Sequence, residues 1–440
     1  MNKNQVNQFS LLKQKRFAPF FLTQFFGAFN DNVFKNALII IIAFSGSLVP
    51  KENIDTLTNL SAGLFILPFF LFSAIAGQLV DKYEKSVCIR WIKAFEIVVM
   101  LAAAVAFYLE AVYMLIAILF VMGAQSTMFG PAKYSYIPQH LSKHELIAGN
   151  ALVQTGTFVA ILVGTMVGGI LVSVSENSMV ISMFIVVIAL LGFVSSLFIP
   201  HTPSLVSELK INWNPLAETI NNITFIVRTR TVFVYVIGIS WFWFFGATYL
   251  VQLPNYTKIA LGGNEQVVTL LLTLFTLGVG TGALLCNKIS SGKIEMALVP
   301  LGSIGLTLFG LDLFFSQSLP ANEQLAGASY FIQQTGNIRV MIDIACIGVF
   351  AGFYIVPLFA LVQQKSDPEH LSRVIAGNNI LNALFMVLSA VMAIVLLGNG
   401  ISIAQLLLIT TILNVVIAIV LFKSQPEFIN RLFVWLKIRR

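Results

Sequence analysis

The sequence predicts an all-α polytopic membrane protein with twelve transmembrane helices arranged as two sets of six. Charged residues make up only 10% of the 440 residues and hydrophobic residues 58%, whereas about 25% of a typical soluble chain is charged. The apolar runs are continuous and about 20 residues long, the length of a membrane-crossing helix, and lack the alternating pattern of a membrane barrel. This composition excludes a soluble enzyme, a nucleic-acid-binding protein and a disordered chain as the main class.

Charge and turn clusters divide the apolar runs into twelve predicted spans. The first six form a predicted N-terminal bundle, 1–200, and the second six a C-terminal bundle, 231–423. The polar stretch 201–230 links them, and an amphiphilic tail, 424–440, is expected to lie on the membrane surface. The spans are 17–45, 58–80, 87–109, 112–131, 147–173, 179–200, 231–253, 267–287, 295–315, 340–363, 374–397 and 402–422.

The basic residues predict the orientation of the chain. With the N-terminus in the cytoplasm, 22 of the 26 Lys and Arg residues lie on the cytoplasmic side, and Lys35 lies within the first span. Only Lys51, Lys258 and Arg339 lie on the opposite side. Since cytoplasmic loops carry the excess of basic residues, we expect both termini and the linker in the cytoplasm. This distribution accounts for the net charge of +7 without a nucleic-acid partner.

The two halves contain a short internal repeat. Residues 141–150, Leu-Ser-Lys-His-Glu-Leu-Ile-Ala-Gly-Asn, resemble residues 371–378, Leu-Ser-Arg-Val-Ile-Ala-Gly-Asn. Each segment precedes the fifth span of its half. Parallel six-helix repeats related by an axis along the membrane normal build the major facilitator architecture, so the repeat and the even halves predict that fold.

The first span carries a polar segment. Asn30, Asp31, Asn32, Lys35 and Asn36 are five polar residues within seven positions, and ionisable residues at mid-membrane are costly and usually functional. The i,i+4 spacing places Asp31 and Lys35 on one helical face, in the order that favours pairing. We interpret the segment as a substrate-binding or coupling surface in which Asp31 contacts a cationic head group or titrates. The alternative is a structural ion pair.

A second candidate is Lys133, which follows Gly130 and Pro131 at the end of the fourth span. The Gly-Pro pair is expected to break the helix and free backbone groups, so that Lys133 reaches a phosphate group or Asp31. The alternative is a lysine whose long side chain extends to the membrane interface. Three further charges lie in spans without a partner identified from the sequence: Glu96, Asp312 and Asp343.

The segment after the second span contains a candidate conformational latch. Gly77, Asp81 and Lys82 resemble the cytoplasmic signature of the major facilitator superfamily, Gly-x-x-x-Asp-Arg/Lys-x-Gly-Arg-Arg/Lys, with Glu84 in place of the second glycine. A carboxylate here can lie at a helix N-terminus and pair with a basic residue of the other half. Such a latch favours the outward-open state and must break before the protein opens inward.

Small residues in the fifth span predict close helix packing. Gly156, Gly164 and Gly168 recur with Ala160 at intervals of four residues. Small residues on one face let helices approach closely, and we place this packing at the interface between the halves.

We expect no cofactor, no metal site and no enzymatic activity. His140 and His144 have a ligand-like spacing but lack a Glu-flanked metal motif, which favours a solvated loop. The sequence contains no Gly-rich loop with a Lys that would bind a nucleotide phosphate. It also offers no pattern of Ser, His and Asp that indicates a catalytic triad. The aromatic run 241–245 is interpreted as lipid-facing rather than cavity-lining.

Four segments together carry a family resemblance: 26–32 (Phe-Gly-Ala-Phe-Asn-Asp-Asn), 130–134 (Gly-Pro-Ala-Lys-Tyr), 147–155 and 356–364. They resemble the bacterial lysophospholipid transporters of the major facilitator superfamily, and the transporter part of chains fused to an acyltransferase. The resemblance implies a flippase that moves lysophosphatidylethanolamine and related lipids to the cytoplasmic leaflet of the inner membrane for re-acylation. It implies functional roles for Asp31 and Lys133 and a separate acyltransferase as partner.

One feature of span seven departs from that family. Between Val232 and Gln252 there is no Lys or Arg, so the basic residue associated with the family's cavity has no counterpart. Two rival functions stay open: a proton-coupled exporter of drugs or small metabolites, and a non-transporting receptor or scaffold. The lack of a sizeable extramembrane domain argues against the receptor. We expect a monomer.

Overall fold

The computed structural model describes residues 7–44, 54–174, 178–316 and 325–438. Of the basic residues counted for the orientation, Lys3, Lys51, Arg439 and Arg440 lie outside these ranges. Within them the structure contains fifteen α-helices, and twelve of these are long and apolar enough to cross a membrane. The prediction of an all-α, twelve-span membrane protein is confirmed.

The helices follow the chain in the predicted order. The first six crossing helices are α1 (Ala18–Phe44), α2 (Ile54–Lys82), α3 (Lys85–Tyr108), α4 (Val112–His140), α5 (Leu146–Val174) and α6 (Ser178–Leu197). A shorter helix, α7 (Pro215–Arg228), lies in the linker. The second half comprises α8 (Arg230–Ala260), α9 (Glu265–Ile289), α10 (Leu298–Phe315), α11 (Ala328–Gln333), α12 (Thr335–Lys365), α13 (Leu371–Gly398), α14 (Ile403–Ser424) and α15 (Glu427–Ile438). A 3-10 helix, Gln8–Lys13, precedes α1.

The fourth crossing helix does not end at Pro131, so the predicted break was wrong. α4 continues through Pro131 to His140. Proline removes one backbone N–H, but membrane helices tolerate it where neighbouring groups satisfy the backbone. The helix also contains Pro138, and the Tyr134 carbonyl that this proline frees accepts a hydrogen bond from Gln363 Nε2 at 3.1 Å. Lys133 therefore lies on a regular helix rather than on freed backbone.

The glycines of α5 pack against α1. The sequence analysis had placed this packing at the interface between the halves, which was wrong. A Cβ at Gly164 would lie 2.6 Å from the Phe29 carbonyl oxygen, and one at Gly168 would lie 2.6 Å from that of Val33. A Cβ at Gly156 would lie 2.7 Å from a ring carbon of α1. The stripe therefore fixes α5 against α1 within the N-terminal half.

The two halves meet mainly along four pairs of helices. α2 and α4 of the first half pack on α13, and α5 packs on α9 and α12. α7 crosses this boundary, because it contacts both α2 and α13. We call the side of the bundle that carries α7, α15 and the 3-10 helix the linker face, and the other side the opposite face.

Candidate functional site

Asp31 lies midway along α1, against α4. Ser126 Oγ donates a hydrogen bond to Asp31 Oδ2 at 2.6 Å, while Asp31 Oδ1 is enclosed and has no donor among the described residues. In the same part of the chain no ion pair within 4 Å joins Asp31 to Lys35. Lys35 Nζ instead lies 5.5 Å from the centroid of the Phe65 ring. The structural pair considered from the sequence therefore does not form, and one oxygen of Asp31 is left to accept from a further donor.

Beside Asp31 lies a buried ion pair that the sequence analysis missed. Lys93 and Glu96, one turn apart on α3, pair with each other and are each 1% exposed. Glu96 also accepts hydrogen bonds from Gln125 Nε2 at 3.0 Å and from Asn30 Nδ2 at 3.4 Å. The i,i+3 spacing of the lysine and the glutamate was the signal in the sequence that could have identified the pair.

Two asparagines of the polar segment bind backbone rather than the groups around Asp31. Asn32 Nδ2 donates to the Ala28 carbonyl of its own helix at 2.7 Å. Asn36 Nδ2 donates to the Thr165 carbonyl of α5 at 2.7 Å. Of the predicted polar residues, the structure therefore brings Asn30 to the cluster around Asp31 and uses Asn32 and Asn36 for helix packing.

Lys133 is buried between α4 and α5, with 9% of its surface exposed. Its Nζ donates to Thr157 Oγ1 at 3.1 Å and lies 5.1 Å from the centroid of the Tyr134 ring. Thr157 Oγ1 lies 3.0 Å from Gln24 Oε1, and Gln24 Nε2 is buried without an acceptor in the described ranges. Within those ranges no carboxylate lies within 4 Å of Lys133. The ammonium is held by neutral groups alone.

The structure does not bring Lys133 to Asp31. Ser126, which binds Asp31, and Lys133 are seven residues apart on α4, which is two helical turns or about 10 Å along the axis. Asp31 therefore marks a level near the middle of the bundle, and Lys133 marks a second level nearer the linker face.

Asp81 connects the two halves at the linker face. Its Oδ2 pairs with Arg373 Nε at 3.1 Å, and its Oδ1 accepts from the Ser372 backbone N–H at 3.2 Å. Ser372 lies at the N-terminus of α13, where the helix dipole favours a carboxylate. A Cβ at Gly77 would lie 2.8 Å from Ala376 Cβ, so only glycine allows this close approach of α2 to α13.

Lys82 takes no part in the contact with Arg373, although the motif suggested it. Its Nζ lies 5.8 Å from the ring centroid of Tyr83. Glu84, which replaces the motif's second glycine, caps α3 through the Ser86 N–H and accepts the Thr202 N–H of the linker at 2.7 Å. Burial alone would raise the pKa of Glu84, but these hydrogen bonds and that of Ser86 Oγ lower it below its ordinary value.

A second contact joins the halves on the α5 and α9 side. The 3-10 helix reaches across the boundary, where Gln8 Nε2 donates to the Leu284 carbonyl of α9 at 3.2 Å. Arg16 anchors this segment to Glu145 at 2.5 Å. Burial alone would raise the pKa of Glu145, but hydrogen bonds from Arg16 and Ser142 hold it below its ordinary value.

Further contacts between the halves lie just inside the linker face. Asn150 Nδ2 donates to Gln363 Oε1 at 2.6 Å, and the rings of Tyr134 and Phe359 stack with centroids 4.2 Å apart. Each of these residues lies within three turns of the linker-face end of its helix. The protein is therefore closed at the linker face.

The second half presents neutral polar groups at its core. Trp241 Nε1 donates to Asn414 Oδ1 at 2.8 Å, and Tyr249 OH lies 2.9 Å from Thr411 Oγ1. Trp241, Phe242, Phe244 and Phe245 are all buried inside the protein, so their interpretation as lipid-facing was wrong. The indole N–H requires an acceptor, and α14 provides one.

The carboxylates of α10 and α12 lie together near the opposite face. Asp312 pairs with Arg339, and both side chains are substantially exposed. Asp343 is buried and accepts a hydrogen bond from Ser316 Oγ at 2.8 Å. These groups have local partners of their own.

Comparisons with known proteins agree with this architecture. The chain is 25% identical over 362 residues to the lysophospholipid transporter LplT of Serratia proteamaculans, covering 81% of each chain. It is 25% identical over 367 residues to LplT of Escherichia coli, covering 82% of each. Among solved structures, the fucose:proton symporter FucP of E. coli, in the outward conformation, is similar with a TM-score of 0.69 at 15% identity, covering 94% of this chain and 100% of FucP.

A family model agrees with the same assignment. The model described as Major Facilitator Superfamily matches residues 20–390, which span α1 to α13. With twelve crossing helices and two halves that meet through α2–α13 and α5–α9, the chain belongs to the major facilitator superfamily and is a membrane transporter, not an enzyme.

Proposed function

We propose that this transporter moves lysophospholipids across the membrane by alternating access. The observation that carries the proposal is Lys133, a buried ammonium held by neutral groups only. A buried charge without a counterion is unfavourable, and the phosphate of a lysophospholipid provides the missing negative charge. The LplT proteins, at 25% identity, support the same substrate class.

The head group would contact the two levels of the site, first Asp31 and then Lys133. Coming from the opposite face it meets Asp31, whose Oδ1 has no donor among the described residues and accepts a hydrogen bond from the ammonium of the head group. Lys133 lies about 10 Å closer to the linker face and receives the phosphate. The single acyl chain needs only an apolar wall, and the part of the second half around Trp241 and Tyr249 supplies apolar and uncharged groups.

We assign the linker face and both termini to the cytoplasm, because cytoplasmic segments carry the excess of basic residues. The closed linker face then corresponds to an outward-facing state of an inner-membrane transporter. Opening toward the cytoplasm requires Asp81 to leave Arg373. The lipid delivered to the cytoplasmic leaflet would be re-acylated by a separate acyltransferase, and we propose that the transporter acts as a monomer.

The test is uptake of labelled lysophosphatidylethanolamine into proteoliposomes, with and without a proton gradient. Lys133→Met keeps most of the side-chain volume but removes the charge, and we expect uptake to fall at least about tenfold, since hydrogen bonds to charged groups contribute about 1.5–3 kcal/mol. Asp31→Asn should lower uptake to a similar extent. The matched control is Lys258→Met, an exposed lysine at the end of α8, which should keep the wild-type rate. Wild-type uptake by folded Lys133→Met would contradict the proposal.

A proton-coupled exporter is the second candidate. The observation that favours it is the same Asp31 Oδ1, because a buried carboxyl oxygen without a donor is also the arrangement of a protonated acid. If no lysolipid moves while a proton gradient drives efflux of a small molecule, and Asp31→Asn stops that efflux, the second candidate replaces the first.

A further inference from the structure

Lys93 and Glu96 form an ion pair for which the surrounding helices leave specific space. A Cβ at Gly192 of α6 would lie 2.7 Å from Lys93 Cε, and one at Gly27 of α1 would lie 3.1 Å from Lys93 Nζ. Ionised groups are unfavourable at membrane depth unless they are paired and hydrogen-bonded. Apolar side chains of similar volume often pack as stably as a buried ion pair, so stability alone does not explain the pair.

Glu96 sets the orientation of the Gln125 amide. An ionised carboxylate only accepts hydrogen bonds, so Gln125 must turn Nε2 toward Glu96, where the distance is 3.0 Å. Gln125 Oε1 then faces Ser126 Oγ at 3.3 Å. Without the carboxylate, the amide can turn over and present its N–H groups to Ser126.

This orientation gives the Ser126 hydroxyl two acceptors. A serine has one O–H, which now donates to Asp31 Oδ2 at 2.6 Å, and Gln125 Oε1 is the second acceptor. When an ammonium binds both oxygens of Asp31, it displaces the hydroxyl from Oδ2, and the hydroxyl can then turn to Gln125 and remain hydrogen-bonded. Since a buried hydroxyl without a partner is costly, the second acceptor makes the exchange at Asp31 easier.

We propose that Lys93 and Glu96 are positioning residues for substrate binding. Through Gln125 and Ser126 they keep Asp31 able to exchange a hydroxyl for the ammonium of a lysophospholipid head group. Lys93 pairs with Glu96, and the same carboxylate accepts the Gln125 Nε2–H. The pair thereby sets a preference for zwitterionic over anionic lysolipids. This inference rests on the proposed function, because it assigns a role within the same site.

The test variant is Lys93→Met combined with Glu96→Gln, which removes both charges and leaves no unpaired ion. KM and maximal rate are measured in proteoliposomes for lysophosphatidylethanolamine and lysophosphatidylglycerol, and thermal stability is measured in detergent. We expect wild-type stability, a KM for lysophosphatidylethanolamine raised about tenfold, and an unchanged maximal rate, which is the result of losing binding that is equally strong in the ground state and the transition state. The KM for lysophosphatidylglycerol, which has no ammonium, should not change.

The outcomes separate this inference from the proposed function. If the wild type moves neither lipid, the proposed function fails and the inference with it. If the wild type moves lysophosphatidylethanolamine and the folded double variant keeps the wild-type KM for both lipids, the pair is structural only and the inference is overturned.

A second variant keeps the test decisive if the double variant does not fold. Gln125→Met leaves both members of the ion pair in place and removes the amide that links Glu96 to Ser126, so it should raise the same KM. A wild-type KM in Gln125→Met overturns the inference. The matched control is Asp312→Asn with Arg339→Gln, which removes the exposed ion pair of the second half and should leave both KM values unchanged.

Discussion

Gly164 and Gly246 both lie inside membrane-spanning helices, but their surroundings differ. A Cβ at Gly164 would meet the backbone of α1 at 2.6 Å, whereas a Cβ at Gly246 would have no neighbour within 4 Å. Backbone atoms of a packed helix cannot turn aside as a side chain can. The first glycine is therefore required by packing, and the second is not.

We expect Gly164→Ala to destabilise the protein by about 1–3 kcal/mol, because the added methyl group pushes α1 away from α5. The matched control, Gly246→Ala, should be neutral or stabilising by up to about 1 kcal/mol, since alanine is the better helix former. Thermal unfolding in detergent measures both. Equal melting temperatures for the two variants would contradict this account of the α1–α5 contact.

Single residues could be selected from the sequence, but most of their contacts could not be predicted from it. Asp31 could be selected because a carboxylate in an apolar run stands out, but its partner, Ser126, is 95 positions away and nothing in the sequence pairs the two. Lys93 and Glu96 were recognisable from their spacing. The pairing of Asp31 with Lys35 was suggested by the same kind of spacing and does not form, because a hydroxyl on α4 lies closer than the lysine.

At the scale of elements, the spans were predictable because hydrophobic length alone determines them, while their ends were not. α4 extends nine residues beyond the predicted end at residue 131, since a proline in a membrane helix does not stop it when the backbone is satisfied. α7 was missed as a helix, because its composition is that of a polar linker. The Asn214 side chain caps this helix by accepting a hydrogen bond from the Ala217 N–H. Pro215, the first residue of the helix, is a common start signal.

The 3-10 helix leads to a prediction at this scale. Leu11 of this segment is fully buried, and the segment packs on α1 and α5, so Leu11→Asp should displace the segment and remove the contact of Gln8 with Leu284. We expect the linker face to open more often. Spin labels at Lys143 and Lys293, exposed positions of the two halves, should then show a larger fraction of molecules in which the two labels are far apart. Lys15→Asp, at an exposed position, is the control. Equal distance distributions in both variants would show that the 3-10 helix does not help to hold the halves together.

For the whole molecule, the two-bundle architecture followed from composition, the basic-residue distribution and the internal repeat. Asp81 was also selected from its motif, whereas Arg373, its partner, lies 292 positions away and became visible only in the fold. The state of the transporter, closed at the linker face, has no signature in the sequence. It depends on contacts such as Asn150 with Gln363, which form in one arrangement of the same bundles.

The latch gives the prediction for the whole molecule. Asp81→Asn keeps the shape but removes the charge that pairs with Arg373, so the closed linker face should lose about tenfold in relative population, or about 1.4 kcal/mol. The spin-label pair at Lys143 and Lys293 measures this. Asp367→Asn, an exposed carboxylate in the loop before α13, is the matched control. If Asp81→Asn and Asp367→Asn give the same distances, Asp81 does not hold the halves together.

The segment before α1 also matters for how the protein is handled. Because Gln8 joins the first half to α9 of the second and these two bodies must separate, an affinity tag or fluorescent protein fused just ahead of residue 7 would be attached to the joint itself and would bias the cycle under study. α15 offers the safer attachment point. Arg431 holds it to Glu295 at 2.7 Å and Phe428 packs on Tyr235, so it belongs to one body only.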